Sequence, residues 1–171
     1  NIMVVHPSLS AASVGELVAL AKAKPGAFSF ASPGNGSAAH LSGELFKAMA
    51  GLDIVHVPYR GGPPALNDLM AGRVSMYFSA ISFTLPLARS GKLKALAVTG
   101  SKRSPAAPDL PTVAEAIPGY EATTWYGVFA PAGTPKKIVG HLNDEIVKAL
   151  RVPKVRDVLT ASGAEIVGDT P

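Results

Sequence analysis

The glycine-rich segment Ala31–His40 holds the residues whose types and spacing best fit chemistry. It reads Ala-Ser-Pro-Gly-Asn-Gly-Ser-Ala-Ala-His and separates a short apolar run from an amphipathic stretch. Such a loop between a strand and a helix presents backbone N–H groups at the positive end of a helix dipole, where carboxylates and phosphates bind. Ser37 adds a hydroxyl, and His40 shares its helical face. The segment indicates an anion site or, alternatively, a tight turn in which Ser37 only caps the helix.

The same segment also fits a dinucleotide fingerprint, Gly34-x-Gly36-x-x-Ala39, in the expected strand–loop–helix context. Arg60, after the next predicted strand, suits the 2′-phosphate of NADP. The acidic residue expected near the ribose is less well placed, because Asp53 lies at the beginning of that strand and not at its end. An NADP-binding oxidoreductase fragment is therefore the alternative function.

Further polar residues follow other predicted strands. Tyr59 and Arg60 follow one strand and Ser79 ends another, and the carboxyl ends of parallel strands share one sheet edge. We expect Tyr59 and Ser79 to face the same edge as the glycine-rich loop. The alternative for the Tyr59 loop is a turn shaped by Pro58 and Gly61.

Catalysis and metal binding are not indicated. The serines lack a Gly-x-Ser-x-Gly elbow, and no two carboxylates share one predicted edge loop. The four histidines are separated and have no ligand partner at metal-binding spacing, so no metal or cofactor is expected. We interpret His6, His56 and His141 as structural or solvated. The chain has no cysteine, which excludes thiol catalysis and disulfides.

Alternating strands and helices must position these residues. Such alternation predicts βαβ units and a parallel sheet flanked by helices, an α/β fold. Strands are predicted at 2–5, 28–31, 54–57, 75–79, 93–99, 123–130 and 165–167, and helices at about 13–24, 38–50, 63–71, 80–90, 112–116, 135–150 and 155–162. The predicted apolar stripes are Ala38, Leu41, Leu45 and Met49 on one helix and Ile138, Leu142, Ile146 and Leu150 on another.

Composition excludes several classes. The 171 residues are 47% hydrophobic and 16% charged, which is too apolar for a disordered chain. No run of about 20 apolar residues could span a membrane. The net charge is +4, but the basic residues nearest to a cluster, Lys92, Lys94, Lys102 and Arg103, have no interleaved aromatic residues. Nucleic acid is therefore not an expected partner.

Eight segments together resemble one family, the substrate-binding proteins of tripartite tricarboxylate transporters (the Bug family). They occur in the family's order between residues 30 and 135. The segments are Phe30–Ser37 with His40-Leu and Gly43–Phe46, Val55–Gly61, Gly91–Thr99, Pro111–Glu115, Pro118–Glu121 and Phe129–Pro135.

This resemblance implies a type II periplasmic-binding-protein-like fold, with one complete lobe and part of a second. Residues 1–121 would form the second ligand-binding lobe. Residues 122–171 would form a crossing strand, carrying Trp125 and Tyr126, and the incomplete C-terminal part of the first lobe. The family's earlier strands, its first ligand loop and a secretion signal would precede Asn1.

The resemblance also implies function. A small di-, tri- or aromatic carboxylic acid would be captured between the lobes in the periplasm and delivered to membrane permease subunits, without catalysis. The ligand-binding residues would be Ser32, Asn35, Gly36, Ser37, His40, Tyr59 and Ser79.

Ser79 stands where the family usually has an acidic residue. This serine lacks the charge that would pair with an amino group, so we expect a plain carboxylate and not an amino acid as ligand. A third hypothesis is that the chain alone binds nothing and self-associates through an exposed surface between lobes.

Overall fold

The computed structural model describes residues 1–171 and divides them into two compact units, residues 1–124 (unit 1) and 125–171 (unit 2). Each unit is described by itself. None of the helices combines the length and the apolar character that crossing a bilayer requires.

Unit 1 contains five strands, four α-helices and one short 3-10 helix. In chain order these are β1 (Ile2–Val5), α1 (Val14–Ala23), β2 (Ser29–Ser32), α2 (Ala38–Ala50), β3 (Val55–Pro58), α3 (Gly62–Met70), β4 (Met76–Ser79), α4 (Ile81–Arg89), β5 (Lys94–Val98) and the 3-10 helix Val113–Glu115. These elements lie within a few residues of the predicted ones. The alternation of apolar runs and turn residues was therefore a reliable guide in this unit.

The five strands form one mixed sheet in the order β3-β2-β4-β1-β5. β2 is parallel to both β3 and β4, as predicted, whereas β1 is antiparallel to β4 and to β5. The sheet is therefore parallel-rich, as predicted, and β1 is its one antiparallel strand. All four residues of β1 are buried, and a continuous apolar run indicates burial on both faces without indicating strand direction.

Helix α2 packs on one face of the sheet through small residues. Gly43 lies against the ring of Phe30 in β2, and Phe46 packs on Phe78 of β4 with ring centroids 5.8 Å apart. Tyr77 neighbours Phe78 in β4 and so points to the opposite face, where its hydroxyl lies near Gly62 at the start of α3. The two helices that follow β2 and β3 thus cover opposite faces.

The predicted apolar stripe of α2 is wrong by one position. The buried residues are Ala39, Ser42, Gly43 and Phe46, while Leu41 is 60% exposed and Met49 39%. The predicted stripe places large apolar residues on the buried face, but close packing on Phe30 needs a residue without a side chain, which is Gly43. Gly51 ends the helix in the left-handed conformation, as predicted.

Unit 2 contains α5 (Lys136–Arg151) and α6 (Pro153–Ala161), which match the two predicted helices in type and place. Neither helix buries a residue, and Ile138 and Leu142 of the predicted stripe are each 49% exposed. The predicted strands at 123–130 and 165–167 do not form. A strand needs a neighbouring strand to pair its N–H and C=O groups, and these segments have none.

Candidate functional site

The loop from Pro33 to Ser37 connects β2 to α2 at the carboxyl edge of the parallel strands, and hydrogen bonds close it internally. The Ser37 hydroxyl donates to the Gly34 carbonyl over 2.7 Å and accepts from the His40 N–H over 3.3 Å. The buried Ser32 hydroxyl lies 3.1 Å from the Gly34 carbonyl oxygen and 3.2 Å from the Gly34 nitrogen. Ser37 is therefore the N-cap of α2, and its hydroxyl already has a donor and an acceptor within the chain.

His40 holds the other side of this loop. Its Nδ1 accepts a hydrogen bond from the Gly36 N–H over 3.0 Å, and Gly36 has a φ of 76°, which favours glycine. The Gly36 N–H is consequently paired within the chain. The assignment of Gly36 to the ligand site stays a prediction.

Three main-chain N–H groups at this end of α2 have no hydrogen-bond partner in the chain: those of Asn35, Ala38 and Ala39. The first turn of α2 contains no acidic residue, and the Asn35 side chain is exposed without a hydrogen bond. Unpaired N–H groups and the dipole of a 13-residue helix create positive potential here without Arg or Lys. This arrangement can accept an anionic oxygen.

Tyr59 is held close to this loop by its main chain. Its N–H donates to the Ser32 carbonyl over 2.9 Å. Its hydroxyl donates to Asp68 Oδ2 of α3 over 2.8 Å, and Arg73 Nη1 lies 2.7 Å from the other oxygen of that carboxylate. The hydrogen bonds from Tyr59 and Arg73 lower the pKa of Asp68, while burial and then the Asp68 carboxylate raise the pKa of Tyr59. The Tyr59 hydroxyl is therefore held by the Asp68 carboxylate of α3, which also forms an ion pair with Arg73.

Helix α3 offers fewer donors than α2. Its second and third residues are Pro63 and Pro64, which have no N–H. Of the first three residues of α3, only Gly62 therefore has an N–H. Arg60, two residues before Gly62, is exposed and makes no ion pair.

Ser79 ends β4 and is buried. Of the predicted residues, Ser32, Gly36, Ser37 and His40 thus form one hydrogen-bonded group, while Tyr59 joins it through its main chain.

His56 is the residue that the sequence interpretation missed. Its Nε2 lies 2.7 Å from the Ser32 Oγ, and its ring stacks on His40 with centroids 4.0 Å apart. Burial lowers the pKa of His56, and the His40 imidazole lowers it further. The strand register brings it there, because His56 pairs with Phe30 and so faces the same side as Ser32, two residues on.

The glycine loop, the α2 N-terminus and the mixed sheet define a class of protein, the periplasmic-binding-protein-like proteins. The R. palustris protein Rpa4515, solved with adipate, has 41% identity and a TM-score of 0.92, covering 100% of this chain and 57% of that one. MatC from Rhodopseudomonas palustris, solved with bound malate, has 33% identity and a TM-score of 0.85 over 95% of this chain and 55% of its own. The periplasmic binding protein BugD has 34% identity and a TM-score of 0.87, over 98% and 56% respectively.

The chain belongs to the tripartite tricarboxylate transporter family receptors, whose family pattern matches residues 1–170. BugT of Bordetella pertussis is 40% identical over 99% of this chain, which spans 52% of the length of BugT. The predicted resemblance and fold class are thereby confirmed. The family consists of solute-binding receptors and not of enzymes, so the alternative of an NADP-dependent oxidoreductase is not retained.

Proposed function

We propose that this chain is the carboxylate-binding part of an extracytoplasmic solute-binding protein. Residues 1–121 would form the second ligand-binding lobe, and residues 122–171 the crossing segment and the C-terminal part of the first lobe. The protein would capture a small carboxylate between two lobes in the periplasm and deliver it to the permease subunits of a membrane transporter. Ligand contacts made only in the closed state would drive closure of the lobes.

The observation that carries this proposal is the set of free N–H groups of Asn35, Ala38 and Ala39 at the start of α2. Hydrogen bonds to a charged group contribute about 1.5–3 kcal/mol each, so two or three such donors suffice to hold one carboxylate group. The related proteins solved with adipate and malate support a carboxylic acid as ligand.

We further propose that the ligand is a plain carboxylic acid. Ser79 is buried at the end of β4 and carries no charge to neutralise an ammonium group. Adipate and malate, which have no amino group, are consistent with this proposal. Tighter binding of aspartate or glutamate than of succinate, citrate or an aromatic acid would contradict it.

Ala38→Pro is the direct test of the site, because proline removes the Ala38 N–H at the first helical position, where its fixed φ is compatible. The preceding residue, Ser37, already has the extended conformation that proline requires (φ −67°, ψ 157°). Calorimetry with adipate and malate on the full-length protein should show roughly a tenfold or greater loss of affinity.

Lys136→Pro is the matched control for Ala38→Pro, because the exposed Lys136 is the first residue of α5 and follows Pro135, whose φ of −56° and ψ of 134° suit a following proline. It should leave the affinity for adipate and malate unchanged. Unchanged affinity of Ala38→Pro would remove the α2 N-terminus from the site.

The chain on its own has a second expected behaviour. Trp125, Tyr126, Val128 and Phe129 of unit 2 are all more than 70% exposed. Exposed apolar surface of this kind favours association, so we propose that the isolated 171-residue chain self-associates. Light scattering that shows only monomer would contradict this.

A further inference from the structure

We propose that His40 is a positioning residue of the carboxylate site and does not contact the ligand itself. Its neutral imidazole takes up the Gly36 N–H and so determines which amides of the Pro33–Ser37 loop remain for a ligand. This inference rests on the proposed function and changes the predicted role of His40 from ligand contact to loop support.

The geometry assigns the two ring nitrogens different tasks. Nδ1 accepts from the Gly36 N–H over 3.0 Å, which requires that Nδ1 carry no proton. Nε2 then carries the proton of the neutral ring and lies 4.0 Å from Glu44 Oε1, one helical turn further along α2. With its acceptor nitrogen turned inward to the loop, the ring presents no acceptor to the free N–H groups of Asn35, Ala38 and Ala39.

A column of three rings fixes the imidazole in this orientation. His40 stacks on His56 with centroids 4.0 Å apart, and His56 stacks on Phe30 with centroids 4.8 Å apart, both at an interplanar angle of 26°. Phe30 is fully buried, and His56 is bonded to Ser32 at the start of the loop. The ring column therefore links Ser32, immediately before the loop, to His40 in the first turn of α2, and so fixes both ends of the loop.

Two substitutions separate the acceptor from the ring. His40→Asn places an amide oxygen at the position of Nδ1 and cannot titrate, but it has no ring to stack. His40→Phe keeps an aromatic ring over His56 and has no acceptor. If the acceptor positions the loop, His40→Phe should lose roughly tenfold in affinity for adipate and malate, while His40→Asn should stay within about threefold of the wild type.

Rescue by the conservative variant is a readout that a merely structural role would not give. His40→Asn should recover the affinity for adipate that His40→Phe loses, since only the amide oxygen can accept from the Gly36 N–H. Loss of affinity in His40→Asn but not in His40→Phe would show that the ring and not the acceptor matters, and equal losses in both variants would show that the imidazole contributes something that neither substitute supplies. Either result overturns the inference.

Nuclear magnetic resonance on the unsubstituted chain keeps the inference testable even where a variant fails to fold. Scalar coupling between the Gly36 amide nitrogen and His40 Nδ1 across their hydrogen bond should be observed. Absence of this coupling overturns the inference alone. Coupling in full-length protein that binds no di-, tri- or aromatic carboxylate contradicts the proposed function, and it overturns the positioning role by reducing His40 to a structural residue.

Discussion

Gly43 of α2 lies directly against the aromatic ring of Phe30 in β2, and this ring occupies the space that a Cβ at position 43 would need. Phe30 is fully buried and also stacks on His56. The close approach of α2 to the sheet therefore supports the ring column beneath the glycine-rich loop. It connects the packing of the core with the shape of the candidate site.

Gly43→Ala should destabilise unit 1 by about 1–3 kcal/mol, because the added methyl group overlaps a buried ring that has no free space. Urea denaturation measures this loss. Gly15→Ala in α1 is the matched control, since its Cβ meets nothing within 4 Å. It should stabilise the protein by about 0.4–1 kcal/mol through the lower entropy of the unfolded chain. Equal effects of the two substitutions would contradict the packing described here.

Ser37→Ala should weaken both the fold and carboxylate binding. The Ser37 hydroxyl caps α2 and closes the loop onto Gly34, and loss of an N-cap costs about 1 kcal/mol. Ser13→Ala provides the comparison, because Ser13 caps α1 in the same way by accepting from the Glu16 N–H. Both variants should lower the unfolding free energy, but calorimetry with adipate should show weaker binding for Ser37→Ala alone. Equal affinities would mean that the loop tolerates the loss of this hydroxyl.

Tyr120→Phe should lower the unfolding free energy of unit 1 by about 1–2 kcal/mol. The buried Tyr120 hydroxyl donates to the Ser42 carbonyl of α2 over 2.9 Å, and burial raises its pKa far above the usual range, so it stays protonated. Tyr126→Phe, at an exposed position with no hydrogen bond, should leave the stability unchanged. Denaturation curves that coincide for wild type and Tyr120→Phe would contradict a stabilising role for this bond.

The ion pair between α3 and Arg73 should make stability depend on pH. Hydrogen bonds from Tyr59 and Arg73 lower the pKa of Asp68 in the folded state. The ionised carboxylate therefore stabilises the fold above the unfolded pKa of about 4, and this contribution disappears as the pH falls through the lower folded value. The difference in unfolding free energy between wild type and Asp68→Asn should be constant above about pH 5 and shrink below about pH 4.

Asp109→Asn is the control for the pH series, because Asp109 is exposed and makes no hydrogen bond or ion pair through its side chain. The change in the unfolding free energy difference between about pH 3 and about pH 5 should be larger for Asp68→Asn than for Asp109→Asn, because only Asp68 has hydrogen-bond partners to lose. A constant difference for Asp68→Asn across the same range would show that the pair with Tyr59 and Arg73 contributes nothing.

The sequence predicted unit 1 well because its strands and helices carry local signals. At the start of α1 the Ser13 hydroxyl accepts from the Glu16 N–H and the Glu16 carboxylate accepts from the Ala12 N–H, and Gly51 ends α2 in the left-handed conformation. These signals lie within a few residues of each helix end. The direction of β1 could not be predicted, since it depends on pairing with β4 and β5, more than 70 residues away in the chain. The segment 123–130 failed for the same reason, because its alternation describes a strand that has no neighbour to pair with.

The sequence predicts the glycine-rich loop and the helix cap at Ser37, because glycines and a capping hydroxyl are local features. That this loop binds a ligand stays a prediction. The internal use of the Ser37 hydroxyl and the Gly36 N–H could not be read from residue types, since it depends on side-chain orientation. His56 belongs to the site only because β3 lies in register beside β2, which a single sequence does not reveal.

The two prolines at the start of α3 limit what unit 1 can hold. Pro63 and Pro64 lack two N–H groups that a helix would otherwise offer. Under the proposed function, main-chain recognition would therefore be concentrated at the N-terminus of α2. A diacid such as adipate or malate would therefore have one carboxylate bound by main-chain N–H groups and the other bound by different chemical groups. Residues away from the α2 N-terminus would then discriminate between ligands that differ in length or substitution at the second carboxylate.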